Sequence, residues 1–410
     1  MLRTFVLTVI LALAISAPLA AQSGPATTSA EPFKLGTFEI NGDRHVGIVL
    51  RDRLVVELNA ANRALERSPS YPNLPMPADM LELISRYEYG LKYRLYEIVT
   101  DLVANNRLAD GRRPVYVHDV ARVRTLAPIL YPGKILNAGG NFYTHLAENN
   151  TPELQQRAIE ARRANRGIPY LFIKPSQGPV IGASEQVVLP YGRDRIDWEV
   201  ELATVIGRAA RYVPAPKAQD HVFGYMVMVD ISDRGGRPPG GFGGGTDWFV
   251  MKGQDTFAPM GPWIAPKEFY GDPMVKLKQT LSVNGQQLQN ATAGDMIHSV
   301  WEVIEYASSI VTLYPGDVVN AGTSGGTGMG TVARGTAAYL KPGDEIVASI
   351  DGIGTMRIPV VAAPKPPEGT GSFLPPPVNR PAGGGQRGAA QPGAAPANRP
   401  ATSAPSGQQK

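Results

Sequence analysis

From about residue 130 to 362, short apolar runs alternate with glycine and proline, a pattern that predicts strands. The runs fall at 187–189, 198–206, 225–229, 277–283, 317–319 and 345–350. Two stretches have helical spacing instead. One covers about 152–165. The other covers about 293–310, where Met296, Val300, Val303, Ile304 and Ala307 recur three or four positions apart. The region 32–125 opens with β-like runs at 38–40, 46–49 and 54–56, then takes helical spacing over about 81–105. The pattern predicts a small N-terminal α/β domain at 32–125 and a β-rich α+β domain at 130–362.

The ends read differently. Arg3, an apolar run over 4–16 and small residues at 17–22 match the three-part pattern of a signal peptide, residues 1–21. The run is shorter than the roughly 20 residues a membrane span needs. The expectation is an exported protein, periplasmic or secreted, without a stable membrane span after cleavage. Residues 364–410 are Pro/Gly/Ala-rich and too poor in apolar side chains to offset ordering entropy, so a disordered tail is expected. A second Gly/Pro-rich stretch, 235–245, reads as a mobile loop.

Composition narrows the chemistry. The chain of 410 residues has no cysteine, which excludes disulfides, thiolate catalysis and thiolate metal sites. Its net charge of +4 lies in the tail, where Lys365, Arg380, Arg387, Arg399 and Lys410 face only Glu368. Nothing in the remainder suggests a nucleic-acid surface.

Within Asp197-Trp198-Glu199-Val200-Glu201-Leu202-Ala203, the two glutamates are two residues apart and would share one face of a strand. A lone Glu-x-Glu also suits a solvent-facing edge strand. Here the neighbours Val200, Leu202, Ala203, Val205 and Ile206 are apolar, and paired anions inside a core strand are costly unless a cation neutralises them. Asp230 ends another apolar run and offers a third oxygen. Three hard carboxylates suit Mg²⁺ or Mn²⁺, with Ca²⁺ also compatible. His145 follows the turn Gly139-Gly140-Asn141, and on a helix Glu148 would share its face and could fix its tautomer. Lys174 and Lys252 are candidate cationic partners. His45, His118, His221 and His298 have no comparable setting and read as structural.

Several strings, in order, resemble the fumarylacetoacetate hydrolase family: Ile135 to His145, Phe172-Ile173-Lys174-Pro175, Asp197 to Ala203, and Gly224-Tyr225 through Asp230. Lys252-Gly253-Gln254-Asp255-Thr256-Phe257, Val283-Asn284-Gly285 and Leu313 to Val318 follow. The resemblance implies a mixed β-sheet roll, usually dimeric, with metal ligands Glu199, Glu201 and Asp230. It implies a water-activating dyad, His145–Glu148, and a Lys252 that stabilises an enolate. It further implies Lys174, Arg234 and Thr323 as substrate-binding residues, Arg234 meeting a substrate carboxylate. The sequence departs from the family pattern in Ile231-Ser232-Asp233-Arg234-Gly235, in the glycine-rich insertion, and at Ser324, where relatives carry proline.

The implied activity is metal-dependent hydrolytic cleavage of a C–C bond in an acylpyruvate-like β-diketo acid. Keto acid decarboxylation or enol–keto isomerisation on the same site is the alternative. An exported small-molecule binding protein without turnover is the alternative of another class.

Overall fold

The strands with the longest buried runs form the middle of the molecule. In the computed structural model, which describes residues 26–236 and 247–367, every residue of Val200–Ile206, Val222–Val229 and Ala258–Pro266 is buried. These strands do not alternate apolar and polar because both of their faces are covered. Val200, Leu202, Tyr225, Val227 and Val229 face a core shared with a second sheet. Ala203, Val205, Phe223, Met226 and Met228 face the N-terminal helices.

The main sheet has twelve strands among the described residues. Ten of them form the path Val117–Asp119, Leu54–Glu57, Asp43–Leu50, Phe33–Ile40, Ala258–Pro266, Val222–Val229, Val200–Ile206, Val318–Thr323, Ile135–Ala138, Leu171–Lys174, and off it Arg124–Thr125 pairs with Phe33–Ile40 and Val180–Ile181 with Ala258–Pro266. Most neighbours are antiparallel, but Val318–Thr323 pairs in parallel with Ile135–Ala138. The second sheet has five strands in the order Gln286–Thr292, Lys278–Val283, Glu345–Ile350, Gly354–Ala362, Val187–Leu189. Mixed sheets with peripheral helices make this an α+β, β-rich fold.

The N-terminal region does not build a sheet of its own. Phe33–Ile40 pairs with Ala258–Pro266 through Leu35 and Ile264. The helices Leu58–Leu65, Met80–Arg86 and Lys92–Ala104 bury Leu58, Leu83, Ile84, Leu95 and Val99 against the central strands. Tyr87 packs edge-on against Phe223 at 4.9 Å. The described residues belong to one compact unit, residues 1–377.

Two predicted helices are shorter than their spacing suggested. The stretch 81–105 breaks at Tyr89 and Gly90, the latter at φ 113°. The stretch 293–310 becomes a helix only at Val300–Ile310. Ser299 caps its N-terminus in a reciprocal capping box with Glu302, and Met296 instead bridges to Phe142. Helix Pro152–Ala164 forms as predicted, capped by Thr151, yet buries none of its residues. The segments expected to be a signal peptide and, beyond residue 367, a disordered tail lie outside the described residues, as does most of the glycine-rich loop. No described helix is long and apolar enough to cross a membrane.

Because Phe223 couples the central strand to the N-terminal helices, Phe223→Ala should cost about 3–5 kcal/mol in denaturant unfolding, the usual range for a buried Phe truncation. An unchanged unfolding midpoint would show that the two regions are not packed as described.

Candidate active site

Strand alternation builds the acidic cluster. Glu199 and Glu201 fall on the same face as Ala203 and Val205, where that face runs out of apolar partners. Asp230 follows the neighbouring strand, and its amide donates to the Glu199 carbonyl at 2.8 Å. One oxygen from each of Glu199, Glu201 and Asp230 lies within 4.8 Å of the others. All three side chains are buried.

Three cations reach this cluster from separate segments. Lys252 ends the short helix Trp248–Lys252, whose N-terminus is capped by Asp247. Its ammonium donates to Glu199 at 2.7 Å, to Asp230 at 2.5 Å and to the Ser232 hydroxyl at 2.6 Å. Lys174, at the end of the outer strand, donates to Asp230 and to the Ile231 carbonyl, the latter at 3.1 Å. Arg234 donates to Asp197 at 2.9 Å and also to Glu199. Among the described residues no cation lies within hydrogen-bond reach of Glu201; it accepts from Gly322 N at 3.2 Å and Asn137 Nδ2 at 3.4 Å.

The charge states follow from these contacts. Burial alone would raise Glu199, but Lys252, Arg234 and His145 overcome it and hold the carboxyl well below its ordinary range. Burial, then the charges of Asp230 and Glu199, push Glu201 well above its own. Burial lowers Lys174 to about 8 despite Asp230. For Lys252, Asp230 and Glu199 outweigh burial, and the ammonium is held more firmly protonated. Four buried carboxylates, counting Asp197, thus surround three cations. The donors are all hard oxygens, and Glu201 is the carboxyl group with no cationic partner among the described residues. That combination fits an added divalent cation such as Mg²⁺ or Mn²⁺.

His145 and Glu148 come together, though not on a helix. His145 ends a single 3₁₀ turn, Tyr143–His145, and Ala147 takes a positive φ of 49°. The chain doubles back so that His145 Nδ1 lies 2.6 Å from Glu148 Oε1. Glu148 is buried and also accepts from Thr327 Oγ1 at 2.6 Å and Gly326 N at 2.8 Å. Burial disfavours the imidazolium, but the hydrogen bond and charge of Glu148, with the charge of Glu199, raise His145 above its ordinary 6.5.

All three candidate substrate contacts have protein partners, Lys174 through Asp230 and the Ile231 carbonyl. Arg234 is held by Asp197 and Glu199, so it forms part of the charge cluster rather than a free carboxylate fork. The Thr323 hydroxyl donates its proton to the Val200 carbonyl at 2.9 Å and accepts from Gln289 at 2.8 Å. It has no proton left for a substrate. Sequence reasoning overlooked Asp197 and Ser232 as members of the cluster. The signal for Asp197 was present, two positions before Glu199 on the same strand parity. Asp233, directly before Arg234, forms a fully buried pair with Arg193 at 2.6 Å.

Comparison with known proteins agrees with this geometry. Residues 134–361 match the model of the fumarylacetoacetate hydrolase C-terminal domain. A 2,4-didehydro-3-deoxy-L-rhamnonate hydrolase from Sphingomonas sp. is 36% identical over 230 residues, 56% of this chain and 74% of that protein. A mitochondrial oxaloacetate tautomerase from Bos taurus is 34% identical over 244 residues, 59% of this chain and 70% of that one. The crystal structure of maleylpyruvate hydrolase from Sphingobium sp. SYK-6, in complex with manganese(II) and pyruvate, superposes with a TM-score of 0.58 at 26% identity. That match covers 81% of this chain and all of the other. The strings noted in the sequence, the buried carboxylate triad and the matched 134–361 region together place this chain in the fumarylacetoacetate hydrolase family.

Proposed function

We propose that this protein is a divalent-metal-dependent hydrolase that cleaves a C–C bond in an acylpyruvate-like β-diketo acid. The observation that carries the reading is the His145–Glu148 pair, held close enough to the carboxylate triad for Glu199 to act on the imidazole. Tautomerisation needs no attacking water, whereas hydrolysis needs a base of this kind.

Glu199, Glu201 and Asp230 would hold the ion. When bound, it supplies a Lewis acid suited to a 1,3-dioxygen chelate and to enolate charge. The chain's own residues do the rest. Glu148 accepts the Nδ1 proton of neutral His145, which leaves the lone pair on Nε2 free to take a proton from water. The hydroxide so formed adds to the acyl carbonyl carbon. The bond to the central carbon then breaks, its electron pair leaving with the pyruvate enolate, and the acyl group leaves as a carboxylic acid. A proton returned to the enolate carbon completes the reaction. Lys252, fixed by three acceptors, provides a stationary positive charge for enolate oxygen. Burial of the cluster keeps bulk water from screening it.

Enol–keto isomerisation is the second reading, since a relative of similar identity is named an oxaloacetate tautomerase. We also propose a homodimer. It is supported by the outer strand Leu171–Lys174, which leaves Ile173 62% exposed beside Ile168 at 70% and Tyr170 at 52%.

The first test is turnover of acetylpyruvate, fumarylpyruvate and oxaloacetate by chelator-stripped protein returned to Mg²⁺ or Mn²⁺, with products identified by NMR. Metal-dependent release of pyruvate and a second acid is expected from an acylpyruvate. Glu199→Ala or Asp230→Ala should abolish it with the fold retained. His145→Ala should lose about 10²–10⁴-fold, the usual contribution of a general base. Isomerised oxaloacetate alone would favour the second reading, and full activity in either carboxylate variant would remove the metal assignment.

The base also sets a pH dependence. His145 works only when neutral, and its raised pKa places the acid limb of kcat/KM above 6.5, with activity rising as pH rises through it. Glu148→Gln removes the raising charge, so the limb should move to lower pH while the plateau rate falls. An unmoved limb would show that another group titrates.

Light scattering on the eluting protein tests the assembly. Wild type should elute as a dimer and Ile173→Lys as a monomer, and a monomeric wild type would discard the dimer.

A further inference from the structure

Between the two metal glutamates, the backbone groups of Val200 bond to side chains. Glu199 and Glu201 direct their backbone groups towards Val222–Val229, as in the hydrogen bond from the Asp230 amide to the Glu199 carbonyl. The groups of Val200 point the other way, where Val318–Thr323 should complete the pairing. That strand pairs Thr323 with Glu201, slips its register between Glu201 and Ala203, and ends at Thr323. Side chains also bond to Val200 there. Val200 N donates to Gln289 Oε1 at 3.0 Å, and the Val200 carbonyl accepts from Thr323 Oγ1 at 2.9 Å and Gln279 Nε2 at 3.2 Å.

Gln289 is central to this arrangement. It stands on Gln286–Thr292, in the second sheet, and is buried. Its Nε2 donates to Thr323 Oγ1 at 2.8 Å and to the Ser324 carbonyl at 2.9 Å. A donor on one side and a carbonyl on the other leave its amide one orientation. The Ser324 turn continues to Gly326 and Thr327, which bind both oxygens of Glu148. Gly326 lies so close to the Leu288 carbonyl that a side chain there would clash, and the turn is thereby pressed onto the Gln289 strand. One amide therefore touches the backbone of the metal glutamates and the turn that seats the base's carboxylate.

We propose that Gln289 is a positioning residue that sets the divalent-metal affinity by fixing the Glu199–Val200–Glu201 backbone from the second sheet. Through Ser324 it also keeps Glu148 in register with that backbone. The inference rests on the metal-hydrolase reading and deepens it. Gln289→Met keeps the length and loses the amide. It leaves Val200 N–H and the Ser324 carbonyl unpaired, so the two carboxylates are free to spread.

Manganese titration of the full chain, followed by electron paramagnetic resonance, reads the effect without turnover. The variants are Gln289→Met, Glu199→Ala and Ile358→Ala, a cavity mutant in the same five-stranded sheet, remote in sequence from Gln289. Thermal melting of each metal-free protein is measured in parallel. Gln289→Met should weaken manganese binding about 10–100-fold, the usual effect of losing a group that orients a metal ligand. Ile358→Ala should lower the melting temperature and leave affinity within about twofold, as expected when only fold stability is altered. If Gln289→Met does not fold, Gln289→Asn, whose amide is too short to span both partners, should show the same loss. A folded Gln289 variant with wild-type affinity overturns the proposal, as does an equal loss in Ile358→Ala. Absence of manganese binding in wild type, or binding undiminished in Glu199→Ala, overturns the metal reading and the proposal with it.

Discussion

Buried carboxylates concentrated at the end of one strand pair set the terms for the rest of the molecule. Asp197, Glu199, Glu201 and Asp230 are all removed from water, and three cations, Lys174, Lys252 and Arg234, stand among these four carboxyl groups. Each isolated buried charge would cost several kcal/mol. The arrangement is tolerable only because the counter-charges are held rigidly and hydrogen-bonded. Those counter-charges arrive from an outer strand, a short helix and a turn. Each of these is anchored in turn by a cap, a sheet edge or the small pairing of Ile196–Asp197 with Ser232–Asp233.

The same constraint explains the two covered faces of the central sheet. Strands bearing buried anions cannot also afford solvent on their apolar side. The second sheet covers Val200, Leu202 and Val227, and the N-terminal helices cover Ala203, Val205 and Met226. The metal carboxylates thus stand in or directly beside the buried central strands. The base does not: His145 lies on a turn, held in place through Glu148 by the Gly326–Thr327 backbone and hydroxyl. A buried charge cluster faced by a loop-borne base is a division suited to a site that must admit substrate.

Local patterns were readable where the interaction itself is local. Glu199 and Glu201 were paired by strand parity, and His145 and Glu148 by a separation of three, although a 3₁₀ turn rather than a helix brings the latter together. Helix 152–165 was legible from its spacing. The start of helix Val300–Ile310 was misplaced because Met296 continues the apolar spacing, while Ser299 and Glu302 form the cap that sets the boundary. The partners that Arg234 and Thr323 take up were not legible for another reason. Their partners, Asp197 with Glu199 and Val200 with Gln289, lie far along the chain. No spacing rule relates such positions.

The sequence by itself determined which residues could bear the chemistry: three hard carboxylates without cysteine, a histidine with a carboxylate three positions on, and lysines in recognisable strings. Side-chain alternation in a strand and the donor preferences of divalent ions are properties of short segments, so they survive without coordinates. Only the tertiary structure decided which cation meets which carboxylate, which carboxyl group has no cationic partner among the described residues, and that a glutamine from another sheet holds the peptide between two ligands. Those outcomes depend on burial and on contacts between distant segments, whose electrostatic strength arises when folding excludes water.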